Sequence, residues 1–308
     1  MWYNQGKEVS FILKKVKLVY NPYAGDRSFP RHIDSFIEKF QEVGYKTDIF
    51  RSMEPGDFGR GLDDIDESFS FIAVAGGDGS ANQILNVMKK KKIDLPLAII
   101  PAGTVNDFAS YLGMTQSIEK SFDKILEHNI KEIDIGCVND RYFLNVCVGG
   151  VISNISQGTD TELKNRLGKV AYYLHGVTEL PKVKPMSLKI ITSEKEIEGD
   201  FLVYFIFNSK GAGGFKNVAQ KAAIDDGVFD FIAVKSGNLI KLTSAAARLF
   251  QGEKVESENL IYLQDNYFKI ECLKEDCNTE FCDVDGEKGP SIPLEINIFP
   301  KSLKVFTG

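Results

Sequence analysis

Long apolar runs are missing from this chain of 308 residues: the longest, such as Phe201 to Phe207, are of strand length. A bilayer-spanning helix needs roughly 20 residues of that kind, so an integral membrane protein is not expected. Positive charge is also short. Lys and Arg number 37 against 43 Asp and Glu, a net charge of −6, and the basic footprint of nucleic-acid binding is lacking. No nucleic-acid partner is expected. The first residues scatter Lys7, Glu8, Lys14, Lys15 and Lys17 around a very short apolar stretch, which is no secretory signal. Cysteines number five, without tight pairs. Cys272, Cys277 and Cys282 lack the two-residue gaps and fourth ligand of a zinc site, and are read as free strand thiols of a reducing compartment. The three histidines, His32, His128 and His175, stand apart from one another and form no Ser/His/Asp arrangement. Neither a Walker loop nor an intact Gly-x-Gly-x-x-Gly occurs, which argues against the nucleotide folds built on them. No repeat or low-complexity segment appears beyond Lys89 to Lys92, read as a solvated helix end whose charge complements the helix dipole.

What is present is a glycine turn. In Val74-Ala75-Gly76-Gly77-Asp78-Gly79-Ser80-Ala81-Asn82 an apolar strand runs into three glycines around one aspartate. Glycines let several N–H groups approach an anion, and a helix starting near Ser80 points its positive end at the same place. Asp78 would repel a phosphate unless Mg²⁺ bridged the two. A plain strand-to-helix turn is the alternative. Leu18 to Gly25 and Leu97 to Phe108 repeat the pattern of a strand followed by a polar turn with proline and glycine. Such loops gather at the carboxyl edge of an open parallel sheet, where ligands bind.

Up to about Val138, strands near Val16 to Tyr20, Lys46 to Phe50, Phe71 to Ala75, Leu97 to Ile100 and Glu132 to Val138 alternate with helices near His32 to Val43, Ser80 to Lys90, Val105 to Leu112 and Ser117 to Glu127. That alternation predicts an α/β domain with a parallel sheet. After the turn pair Asn139-Asp140 the grammar changes. Strands are expected at Tyr142 to Val148, Leu188 to Ile191, Phe201 to Phe207, Phe229 to Val234, Tyr267 to Cys272, Phe281 to Val284 and Leu294 to Ile298, with helices near Glu162 to Leu180 and Leu239 to Phe250. This predicts a mainly antiparallel β-sandwich or barrel. The domains expected are residues 1–138 and 139–301. Asp285-Gly286-Glu287 and Asp225-Asp226-Gly227 both read as hairpin turns, the first between Phe281 to Val284 and the strand after Pro293.

Asn21 to Gly25, Gly76 to Ser80, Pro101 to Asp107, Asp225 to Gly227 and Asp285 to Glu287 match, in order, the motifs Asn-Pro-x-x-Gly, Gly-Gly-Asp-Gly-Thr, Pro-x-Gly-Thr-x-Asn-Asp, Asp-Asp-Gly and Asp-Gly-Glu. On these the chain resembles the diacylglycerol kinase catalytic-domain family, in its soluble bacterial lipid-kinase branch related to sphingosine and ceramide kinases, over nearly its whole length. The resemblance implies an NAD kinase- and phosphofructokinase-like N-terminal domain, a C-terminal β-sandwich, and return of about residues 302–308 to the first domain. It implies ATP and Mg²⁺, with nucleotide contacts at Asn21, Pro22, Gly25, Ser52, Gly76, Gly77, Asp78, Gly79, Ser80, Asn82, Gln83 and Thr104. Ser52 and Ser80 stand where threonine is usual and keep the hydroxyl, whereas Gln83 replaces a glutamate and loses its charge. Glu287 matches the base that takes the proton of the lipid hydroxyl, with Asp78 on the metal side and Asp107 in the linking network. Asp226, with the carbonyls of Ala223 and Val228, matches a structural Mg²⁺ site, and Gln220 stands where proline is usual.

The activity so implied is ATP-dependent phosphorylation of diacylglycerol, or a related lipid, to phosphatidic acid in phospholipid metabolism. The enzyme would be cytoplasmic, peripheral at the inner membrane face, with homodimerisation left open. Two alternatives stand beside it: an NAD-kinase-like enzyme of a soluble substrate, and a nucleotide-binding regulator without turnover.

Overall fold

A computed structural model describes residues 14–54, 57–115, 117–150, 185–213, 217–237, 248, 258–274 and 281–308. The N-terminal part is a parallel sheet of β1 (Lys14–Tyr20), β2 (Tyr45–Arg51), β3 (Phe69–Gly76) and β4 (Leu97–Pro101), in the order β4-β3-β1-β2. β3 is apolar but for Ser70, and β1 is apolar from Leu18 on, with Val16, Leu18, Val19, Phe71, Ile72, Ala73 and Val74 buried, as a sheet covered on both faces requires; Lys17 within β1 is buried as well, paired with Asp48 and Asp64 at 2.7 Å. Helices α1 (Ile33–Glu42), α2 (Asp78–Lys91), α3 (Asp107–Tyr111) and α4 (Ile118–Leu126) follow its strands. In α1, Phe36 and Phe40 stand four residues apart on one face, and Phe36 meets Phe122 of α4 edge-on with centroids 5.2 Å apart. The lysines closing α2 are not all solvated: half-buried Lys89 donates to the Ser302 carbonyl and Lys91 pairs with Asp63.

The strands that follow are β5 (Ile130–Val138), β6 (Arg141–Phe143), β7 (Val146–Gly150), β8 (Met186–Thr192), β9 (Glu196–Phe207), β10 (Phe229–Lys235), β11 (Leu260–Asp265), β12 (Tyr267–Cys272), β13 (Phe281–Val284), β14 (Glu287–Ser291) and β15 (Leu294–Phe306). Their pairings with one another are antiparallel. Alternate residues face opposite ways: Cys147, Tyr204, Ile206 and Phe231 enter one apolar cluster, and Val146, Val148, Phe205 and Ile232 enter another. The result is an antiparallel β-sandwich. β15 ties the two parts together, because Phe268 pairs with its Ile296 while its Val305 lies parallel to Leu97 of β4.

Five expectations need correction. The strand expected at Glu132 to Val138 as part of the parallel sheet is β5, which runs antiparallel to β15 and to β6. The strand foreseen at Tyr142 to Val148 is broken into β6 and β7, because the N–H groups of Leu144, Asn145 and Val146 turn toward the Asp285 carboxylate. The partner of β13 across the Asp285-Gly286 turn is β14, not the strand after Pro293. β11 was not foreseen at all. Cys272 is not a free thiol but disulfide-bonded, whereas Cys137, Cys147 and Cys282 are free and buried. The expected helix at 162–180 lies outside the described residues, as do His175, Cys277 and all of 239–250 except helical Arg248.

Candidate active site

Three loops meet at the carboxyl edge of the parallel sheet, and what lets them meet is missing side chains. A Cβ on Gly103 would lie 2.3 Å from the Gly77 Cα, and one on Gly25 would lie 2.4 Å from the Ala102 carbonyl oxygen. Gly25 also has φ +53, a left-handed conformation that favours glycine. A Cβ on Gly76 would fall 2.3 Å from the Ser80 Oγ. The turns after β1, β3 and β4 therefore touch backbone to backbone. Asn106 locks the third of them: its Oδ1 accepts the Gly103 N–H at 2.9 Å and its Nδ2 donates to the Gly103 carbonyl at 2.9 Å. In the first, the Asn21 Oδ1 accepts the Tyr23 N–H at 2.9 Å across Pro22, and the Asn21 N–H reaches the Ala75 carbonyl of β3 at 3.0 Å. Beside these turns lies a cleft of about 510 Å³ lined by Gly25, Asp26, Ser28, Gly103, Thr104 and Ile118, among others.

Asp78 opens α2, with Gly77 at the cap position. Its carboxylate accepts the N–H groups of Asp107 at 3.2 Å and Phe108 at 3.0 Å, so it caps α3 as well. This joins Asp78 to Asp107, and each Asp78 oxygen keeps a second lone pair for another partner. Thr104 is exposed and Ser52 is buried, its N–H bound to the Tyr20 carbonyl at 3.0 Å. Gln83 holds a buried Oε1 without a hydrogen-bond partner.

Glu287 comes from far along the chain to the same place. Its Oε1 would stand 3.0 Å from a Cβ on Gly79, the second residue of α2. The delivery device is a two-residue hairpin: Asp285 at φ 52 and Gly286 at φ 90 carry the chain from Val284 to its cross-strand partner Glu287. The Asp285 carboxylate is tucked beneath that turn. Its Oδ2 accepts the Leu144 N–H at 2.7 Å and the Asn82 Nδ2–H at 2.8 Å, and its Oδ1 accepts the N–H groups of Asn145 and Val146, both at 2.9 Å. Burial nevertheless pushes its pKa up to about 6, against the opposing pull of those hydrogen bonds. Asn82, expected among the nucleotide contacts, is wholly buried, with Nδ2 also on the Tyr142 carbonyl at 3.0 Å and Oδ1 accepting from Asn86 at 3.1 Å, so its side chain is engaged within the protein.

The Asp225-Asp226-Gly227 turn leads into β10, and Ile224 before it packs into the apolar cluster of the N-terminal sheet. Asp226 Oδ1 accepts the Val228 N–H at 3.2 Å, and Lys131 pairs with Asp225 at 2.9 Å. Loss of hydration, then the negative charges of Asp134 and Asp225, raise the Asp226 pKa, so a cation here would relieve an unfavourable field. One carboxylate with the Ala223 and Val228 carbonyls fits a hard ion that completes its shell with water. Among the described residues no cluster of three or more His, Cys, Asp or Glu side chains could hold a metal.

Two residues escaped the sequence reading. Fully buried Asp134 accepts the Gly227 N–H at 2.7 Å and the Lys301 N–H at 2.8 Å, joining the acidic turn to the bend in β15. The available signal was a carboxylate between Ile133 and Ile135 in an otherwise apolar strand end. Asp285 belongs to a motif in the sequence, but the hydrogen bonding of its carboxylate is invisible in an Asp-Gly pair that any hairpin would carry.

The profile for the diacylglycerol kinase catalytic domain matches residues 15–138, and that for the YegS C-terminal NAD kinase beta sandwich-like domain matches 146–307. The diacylglycerol kinase of Bacillus subtilis (strain 168) is 30% identical over 290 residues, covering 93% of this chain and 94% of that one. A Staphylococcus aureus diacylglycerol kinase (strain bovine RF122 / ET3-1) is 30% identical over 295 residues, covering 95% and 92%. A crystal structure of a diacylglycerol kinase from Bacillus anthracis str. Sterne superposes with a TM-score of 0.79 at 25% identity, covering 96% of this chain and 97% of that one. With both parts of the chain matched, and relatives alike from end to end, the chain belongs to the diacylglycerol kinase family.

Proposed function

We propose that the protein transfers the γ-phosphoryl group of ATP to the free hydroxyl of diacylglycerol, giving phosphatidic acid, at the cytoplasmic face of the membrane. The observation that carries this is the Glu287 carboxylate lying over Gly79, which puts a proton acceptor beside a glycine-lined anion cradle. The nucleotide binds to a domain of residues 1–138, rejoined by about 302–308, through the turns at Asn21, Pro22 and Gly25, at Gly76 to Ser80 and at Thr104, with Ser52 and Gln83 at the margins. Glu287 takes the proton of the lipid hydroxyl as its oxygen attacks the γ-phosphorus, and the bond to the bridging oxygen of ADP breaks. Asp78 holds α3 and faces the metal side, and Asp107 links the two. Mg²⁺ bound with the nucleotide supplies neutralisation of the phosphate charge. A second Mg²⁺ would sit on Asp226 and the Ala223 and Val228 carbonyls of domain 139–301, fixing that turn.

No helix among the described residues is long and apolar enough to cross a membrane, so this reading takes the lipid by peripheral contact. The test is phosphotransfer from labelled ATP to diacylglycerol in mixed micelles, with and without divalent cation, beside ceramide, sphingosine and NAD as acceptors. Labelled phosphatidic acid only when a divalent cation is present is the expected result. Label on NAD and none on any lipid would replace the proposal with a soluble-substrate kinase.

A further inference from the structure

Gly79 and Asn82 lie three residues apart on α2 and so share one face of that helix. The hairpin between β13 and β14 meets both: Asp285 binds Asn82 at 2.8 Å, and Glu287 reaches over Gly79. Asp285 is itself anchored by three consecutive N–H groups, Leu144 to Val146, at 2.7–2.9 Å, and returns its own N–H to the Val146 carbonyl at 3.0 Å. Asn82 is anchored by the Tyr142 carbonyl and by Asn86, whose Oδ1 accepts the Tyr142 N–H at 2.9 Å. The bridge is therefore held at both ends by β6, β7 and their connection. From Asp285 to Glu287 only Gly286 intervenes, so a displacement of the first carboxylate is passed to the second.

We propose that Asn82 and Asp285 are a positioning pair: their hydrogen bond sets the Glu287 carboxylate over the glycine turn of α2, and neither residue takes part in proton transfer. The pair is a direct side-chain tie between α2, the helix that follows the glycine turn, and the hairpin that carries the base. It rests on the reading of Glu287 as proton acceptor. A buried Nδ2–H···carboxylate bond suits this role, being short, charge-assisted and shielded from water.

The experiment uses full-length protein in the micelle assay, with melting temperature and the KM for ATP measured on each variant. Glu287→Gln is made first, and a loss of turnover in it holds the underlying reading. Asn82→Ala then tests the bridge: kcat is expected to fall by about tenfold or more while the KM for ATP stays within about threefold, because geometry at the acceptor is lost and the cradle is kept. Asn82→Asp places two carboxylates in contact, and such a pair takes up one proton well above the ordinary carboxylate range. Its kcat is expected to be low near pH 8 and to climb severalfold toward about pH 6, as a shared proton restores the bridge, with no such climb in wild type. A folded Asn82→Asp enzyme with wild-type kcat, or one whose loss is the same at every pH, overturns the proposal. So does an Asn82→Ala enzyme whose whole loss lies in the KM for ATP, since that makes Asn82 a nucleotide contact. If Glu287→Gln keeps full turnover, it is the proposed function that falls instead.

Discussion

Gly103→Ala is the sharpest probe of how the three loops are assembled. The added Cβ would start 2.3 Å from the Gly77 Cα, 2.8 Å from the Gly77 nitrogen and 2.8 Å from the Asn106 Oδ1. Ordinary carbon contact lies at roughly 3.5–4.0 Å, so the turns after β3 and β4 must separate by roughly 1–2 Å. Two of the three obstructing atoms are backbone and cannot rotate away. Overpacking of this kind costs roughly 1–3 kcal/mol, which for a chain of this size lowers Tm by roughly 2–5 °C. The catalytic effect should be larger than the stability effect, because a misplacement of about 1 Å at a reacting centre costs on the order of a hundredfold in turnover. Gly59→Ala is the control, since nothing lies within 4 Å of the position its Cβ would take. Thermal melting, kcat and the KM for ATP on both variants decide the matter. A Gly103→Ala enzyme that melts and turns over like Gly59→Ala would show that the loops do not depend on this contact, and the account of the cradle would be wrong.

Glu287→Gln should cut turnover by at least about a hundredfold with little change in Tm, as expected for an exposed general base; activity within a few-fold of wild type would remove it from the mechanism. Asp78→Ala should lose as much turnover but also several degrees of Tm, by leaving the N–H groups of Asp107 and Phe108 without their acceptor, and an unchanged melt would contradict its role in capping α3. At Asp226 the folded pKa is raised, so without metal the native state binds that proton more tightly than the unfolded chain, and this group's contribution to stability falls as pH rises through its titration. Asp226→Ala should therefore melt no lower than wild type in metal-free buffer at neutral pH, yet lose the rise in Tm that Mg²⁺ gives wild type; a mutant with an undiminished Mg²⁺ response would refute the site. Asp57, whose buried carboxylate is held below its ordinary value chiefly by the Met53 N–H and also by Arg60, has the opposite sign: its contribution is present at neutral pH and is lost as pH falls through its folded pKa. Asp57→Asn should accordingly lower Tm at neutral pH by a few degrees and by less in acid, and an equal loss at both would sink the linkage.

How far the sequence was legible follows from what each segment buries. β3 and β4 are apolar on both faces and could be read directly, β1 could be read from Val16, Leu18 and Val19 in spite of Lys15 and Lys17, and α1 declared itself through Phe36 and Phe40. β11 hid because most of it is only half-buried, leaving no alternation to see. β14 hid behind Gly289 and Pro290, and a proline is tolerated there because β14 lies at the end of the sheet order among the described residues, as an edge position allows. The disulfide at Cys272 could not be foreseen, since spacing alone does not fix connectivity.

The site residues that could be read are those whose chemistry coincides with a backbone demand. Gly25, Gly76, Gly77 and Gly103 stand out because a cradle for an anion and a close crossing of turns call for the same residue. Asp285 and Asp134 did not stand out, because what makes them matter is burial among N–H donors from segments far away in sequence, and no local spacing encodes that. A polar motif found in a chain therefore marks where loops converge more reliably than it ranks the residues inside it. Asp78 illustrates the point: the feature that drew attention, a carboxylate among glycines, serves in the fold as the cap of α3, and the metal role proposed for it would have to use the lone pairs that remain.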